Sequence, residues 1–227
     1  MKPLPEGSEA VAGDLREMAQ LVERSVSQSV DAVLKRSSIA ALAVFDRQRR
    51  VNQLQALVDA GAGGLFVRQP AGVYPAFGAA AAKMGRSLVR MSDLAVGIGV
   101  SALTLLALPA GDPGVDFRGM GETVCRRLRG GIEAFVGSEA GPTRATPETG
   151  CVAEPGEDAY VKLTKFMDRD PVRIHPGLEY VFIVRDLERL ADHAAGIAED
   201  ALLFAHVSGR RGPDVSCAES FSGSSPG

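Results

Sequence analysis

The chain has 227 residues, 45% of them hydrophobic and 23% charged, and a formal net charge of −3. That length leaves room for one large domain or two small ones with a substantial core. The near-neutral balance gives no reason to place the chain on nucleic acid or on an anionic membrane surface. Aromatic residues are scarce, with no Trp, nine Phe and three Tyr, and a core built on Ala, Leu and Val favours close helix packing over a β-sandwich.

Cys125, Cys151 and Cys217 are an odd number at long spacings, which fits neither a disulfide framework nor a zinc site; they read as small buried or incidental thiols in a reducing compartment. The N-terminal run MKPLPEGSEAVAGD lacks the apolar core of a secretory signal. The longest low-charge stretch, Leu94–Ala110, is interrupted by Gly and Pro and falls short of the roughly 20 apolar residues a membrane span needs. The expectation is a soluble, cytoplasmic protein.

Residues 1–13 carry Pro and Gly without periodicity and are expected to be a flexible lead-in. Asp14 with Glu17 three positions on predicts a capped start to a first helix over about 15–36, with an apolar stripe at Leu15, Met18, Val22, Val26, Val30 and Val33. A second helix is expected over Ile39–Val67, on Leu42, Phe45, Val51, Leu54, Leu57 and Val58, weakened at its end by the Gly61–Gly64 run. The third is the clearest: Phe77, Ala81, Met84, Leu88, Met91, Ala95, Ile98, Ala102 and Leu105 alternate three and four apart, as in a bundle seam. Residues 109–116 form a linker, followed by a fourth helix over Phe117–Val136 on Met120, Val124, Leu128, Ile132 and Phe135. The Pro- and Gly-rich 137–157 reads as a long loop, Asp158–Phe166 as a short fifth helix, and Pro176–Val207 as a sixth. Residues 208–227, rich in Gly, Ser and Pro, are expected to be a disordered tail. The fold class is therefore all-α: a three-helix unit over 14–108 and a second over 117–207.

The halves echo one another. Registered on Arg90 and Arg189, SLVRMSDLAVGIGVSAL at 87–103 and DLERLADHAAGIAEDAL at 186–202 share Leu88/Leu187, Asp93/Asp192, Ala95/Ala194, Gly97/Gly196 and Ile98/Ile197. The segment LERLADHAAGIAED resembles the final-helix signature of the PhoU family of phosphate-transport accessory proteins. So do RQPAGVYPAFGAAAAKMGRSLVRMSDLAV at 68–96, DLREMAQLVERSV at 14–26, VNQLQ at 51–55 and FMDRDPVRI at 166–174. The resemblance implies two tandem three-helix bundles (PhoU-like, spectrin-like repeats), a cytoplasmic location and negative regulation of phosphate uptake and starvation signalling. It also implies the ATPase of the phosphate ABC transporter and the phosphate-sensing histidine kinase as partners, a homodimer, and membrane association only through those partners. Some members of the family bind iron or divalent cations through carboxylates spaced four apart.

In this chain Glu188 and Asp192 keep that spacing, which stacks two carboxylates on one helix face where they could share a hard cation. Glu199 falls on the same stripe, opposite the apolar row Ile183, Leu187, Leu190, Ala194, Ile197 and Ala201, so a site there is expected on the outer surface. The first half keeps Asp93 but has Val89 in place of the second carboxylate, and the second helix offers the neutral amides Gln48, Asn52 and Gln55, which bind metals far more weakly. Glu188, Asp192 and Asp93 are thus the candidate ligands for a divalent or iron cation. Solvated acidic residues on an outer helix face are the plainer reading. His193 points about 100° away from Asp192 on a helix and does not extend that set. His175 and His206 have no ligand neighbour in the sequence. No nucleophile elbow, phosphate-cradling loop or HExxH motif is present, so no catalytic residue is assigned and the chain is read as non-enzymatic. The alternatives are a metal-binding helical module and a divergent paralogue with other partners.

Overall fold

The computed structural model describes residues 7–68, 72–137 and 155–208. It contains α1 (Glu9–Lys35), α2 (Ser38–Arg68), α3 (Val73–Leu106), α4 (Phe117–Val136), α5 (Pro155–Asp168) and α6 (Ile174–Val207), with a 3-10 turn at Pro171–Arg173 ahead of α6. No strand occurs among the described residues. Ser208, expected to begin a tail over 208–227, is instead buried at the end of α6; the rest of that tail and most of the expected 137–157 loop lie outside the described residues.

The apolar stripes expected for α1, α3, α4 and α6 are all buried. Two expectations need correction. Residues 9–13 are not a flexible lead-in but the first turns of α1, and Asp14 lies inside the helix rather than at its cap. Val11 and Ala12 are buried there, and a side chain at Gly61 would run into Val11 Cγ2 at 2.5 Å, so the glycine lets α1 and α2 close on each other. The GAGG run lies within α2, as expected. On α2, Leu42 and Leu57 are exposed at 57% and 52%, and the buried face is Ala41, Val44, Val51, Leu54, Val58, Ala62 and Leu65. Small residues hold this face because α2 packs tightly on both α1 and α3.

The α1–α2 turn is held by Arg36, which adopts a left-handed φ of 48° at the end of α1. Its Nη2 donates to the carbonyls of Leu105 (2.6 Å) and Leu108 (2.9 Å) at the C-terminus of α3. Charge-assisted bonds to carbonyls at the end of α3 offset the roughly 1–2 kcal/mol that a non-Gly left-handed residue costs.

Helices α1–α3 pack mutually as one three-helix unit; in the second half α4 and α5 each pack on α6, and a shared core joins the halves, with α3 packed along α6 and α1 along α4. Phe77 of α3 stacks on Phe135 of α4 at 4.9 Å between ring centroids, and Phe204 of α6 meets both edge-on at 5.6 and 5.0 Å. At the other end, Tyr180 stacks on Phe117 at 5.7 Å and meets Phe166 edge-on at 5.9 Å. Helix α3 is long and apolar enough to cross a membrane by length and composition, but here it is a central core helix packed against α1, α2 and α6.

Candidate functional site

The third helix of each unit carries the candidate carboxylates, and in both units a neutral donor on the preceding helix takes hold of one. In the first, Gln48 Nε2 of α2 donates to Asp93 Oδ1 at 2.7 Å, while Arg90 approaches the other oxygen only to 4.0 Å. In the second, the Tyr160 hydroxyl of α5 donates to Glu188 Oε2 at 2.8 Å. Burial, together with that carboxylate, pushes the Tyr160 phenol up to about 12. The phenol thus stays protonated and keeps donating throughout the physiological range.

Glu188 is therefore half-buried and turned toward α5, not outward as its stripe predicts, because α5 covers α6 at that height. Asp192 and Glu199 are exposed as expected. Glu188, Asp192 and Asp93 do not converge: no group of three or more His, Cys, Asp or Glu side chains that could hold a metal ion occurs among the described residues. The chemistry present is carboxylate held by amide or phenol, a geometry that braces helix pairs.

The groove between α3 and α6 carries the less expected polar groups. Asp200 is buried and accepts a bond from Lys83 Nζ of α3 at 2.6 Å, tying the two units together. Asp186 sits over Gly97 of α3, where a Cβ would lie 2.8 Å from its Oδ2. Burial raises its pKa, against the pull of Arg185 and Arg189. His193 is held below the ordinary histidine value by burial and then by Arg189, with Asp192 opposing. Cys125 is a buried thiol, raised by that burial, with its Sγ 3.8 Å from Ser27 Oγ. Cys151 and Cys217 lie outside the described residues.

Sequence reading missed Tyr160, Asp186, Lys83 and Asp200. One signal was there: Asp200 stands three residues after Ile197 and four before Phe204, on the buried stripe. An acid at such a position demands a partner.

Comparison with known proteins places the whole arrangement. A family model described as the PhoU domain matches residues 15–101. That match falls on the first half, whereas the resemblance noted above leaned most on the segment beginning at Asp186. A phosphate-specific transport system accessory protein PhoU homolog from Burkholderia sp is 29% identical over 196 residues, covering 84% of this chain and 83% of its own. One from Caulobacter vibrioides is 30% identical over 195 residues, covering 83% and 84%. Among solved structures, PhoU from Pseudomonas aeruginosa superposes with a TM-score of 0.79 at 26% identity, covering 87% of this chain and 96% of that one. The phosphate transport system regulatory protein PhoU from Streptococcus pneumoniae shares the fold, with a TM-score of 0.67 at 19% identity. With relatives aligned across both three-helix units and a matching solved fold, the chain belongs to the PhoU family.

Proposed function

We propose that this chain is a non-catalytic, cytoplasmic regulator that restrains phosphate uptake and phosphate-starvation signalling by contact with the ATPase of the phosphate ABC transporter and with the phosphate-sensing histidine kinase. The observation that carries this reading is the match, over more than four-fifths of the chain, to proteins named as phosphate-specific transport accessory proteins. The disposition of charge supports an adaptor. Two ion pairs, Lys83–Asp200 between α3 and α6 and Arg129–Glu23 between α4 and α1, tie the two halves together. An apolar strip on α6 supports a contact role: Ile174, Leu178 and Phe182, spaced four apart, are 49%, 46% and 42% exposed. A homodimer is part of the reading, and solution mass tests it.

The test is co-purification from phosphate-replete cells. Tagged protein should recover the transporter ATPase or the kinase, and Leu178→Glu with Phe182→Glu should reduce that recovery. Recovery of neither partner from the parent protein would remove the proposal.

A further inference from the structure

Away from the carboxylates, a groove of about 670 Å³ runs between the N-terminal half of α2, α1 and the outer side of α4. Its walls carry Arg24, Lys35, Arg47 and Arg129 against only two acids, Glu23 and Asp31, so the groove is cationic in a chain of net charge −3. Both acids are already engaged. Glu23 is bridged by Arg129; Asp31 is held by Lys35 at 2.9 Å and Arg118 at 3.6 Å.

Arg24 and Arg47 are left over. Neither forms an ion pair among the described residues. Arg47 is half-buried, and its one hydrogen bond goes from Nη1 to the backbone carbonyl of Ala43 at 3.2 Å. Burial and then the positive charge of Arg24 hold its pKa below the ordinary value, and the neighbouring Asp46 opposes this only in part. Two guanidinium groups that repel each other across a groove, with most of their fork-shaped donors unspent, are arranged for a ligand bearing several acceptor oxygens and more than one negative charge. Ser27, Gln28 and Ser37 add neutral donors along the same walls.

We infer that the Arg24–Arg47 end of this groove binds a phosphate-type oxyanion. The anion would neutralise both guanidinium groups at once and relieve their mutual repulsion, so binding stabilises the fold. This site is independent of the partner contacts proposed above, and its failure leaves that reading intact.

The experiment is calorimetric titration of the full chain with inorganic phosphate and, separately, glycerol 3-phosphate at low ionic strength, with a thermal melt at each ligand concentration. Saturable binding of one anion is expected, with a rise in Tm; the tighter ligand distinguishes free phosphate from a phosphoryl group on a small molecule. Arg24→Gln and Arg47→Gln should each weaken binding about tenfold or more, since each removes a charge-assisted contact. Arg49→Gln removes the same charge from an exposed position outside the groove and should change affinity less than about twofold. Circular dichroism of each variant confirms that the fold is kept. Absence of saturable binding by either anion overturns the inference, and so does an equal loss in Arg49→Gln, which would mark a diffuse charge effect.

Discussion

Phe135→Ala tests whether the two three-helix units are one cooperative structure. Phe135 is fully buried, stacked on Phe77 at 4.9 Å and in edge contact with Phe204 at 5.0 Å, so the ring fills a volume bounded by side chains from both units. Truncating a buried Phe costs roughly 3–5 kcal/mol, the upper part of that range applying where neighbours cannot collapse into the space. Two aromatic contacts are lost as well, and both partners are anchored on long helices, so about 4–5 kcal/mol is expected here. With a urea slope of roughly 2–3 kcal/mol/M, the midpoint should fall by about 1.5–2.5 M at unchanged slope. Hydrogen exchange adds the discriminating readout: protection in α1–α3 should fall together with protection in α4 and α6. A two-step transition, or protection lost only over 117–207, would refute the shared core and leave two independent bundles.

Adjacent glycines in α4 should respond with opposite signs. At Gly131 a Cβ would meet the backbone nitrogen of Ala198 and Ile197 Cγ2, both at 3.1 Å, whereas nothing lies within 4 Å of one at Gly130. Gly131→Ala should therefore destabilise by about 1–3 kcal/mol and Gly130→Ala stabilise by about 0.5–1 kcal/mol, read from chemical denaturation. Tyr160→Phe should cost about 1 kcal/mol by removing the bond to Glu188. Because the folded Tyr160 pKa is raised to about 12 from an ordinary 10, its contribution is complete below pH 10 and lost as pH rises toward 12. The difference in stability between parent and Tyr160→Phe should shrink over that window, and a difference constant through pH 12 would contradict the assignment. Gln48→Glu sets a second carboxylate where the amide now lies 2.7 Å from Asp93 Oδ1. It should cost about 1 kcal/mol without metal, less at high salt. Added Mn²⁺ should raise the variant's Tm more than the parent's.

Helical period carried most of the fold. The stripes on α1, α3, α4 and α6 are long, regular and apolar, and each is buried as its spacing predicts. Helix α2 was harder because its inner face is partly Ala41, Val44 and Ala62, whose small side chains signal close packing and not hydrophobicity, while larger Leu42 and Leu57 face outward. The start of α1 was missed because Gly7 and the neighbouring Pro residues mask the pattern that Val11 and Ala12 begin. Of the candidate site, the positions of Asp93, Glu188 and Asp192 were legible, since four-residue spacing is local. What holds them was not: Gln48 lies 45 residues from Asp93, Tyr160 lies 28 from Glu188, and Lys83 lies 117 from Asp200. Those pairings come from helix packing across the bundle, which local spacing does not encode.

The central claim, restraint of phosphate uptake and starvation signalling by a non-catalytic adaptor, is tested most directly in the source cells. The measurement is labelled-phosphate uptake, with a phosphate-starvation reporter, in cells lacking this chain and in the same cells complemented with it. The account predicts raised uptake and a reporter switched on despite ample phosphate, both returning to normal on complementation. Unchanged uptake and an unchanged reporter in the deleted cells would contradict it.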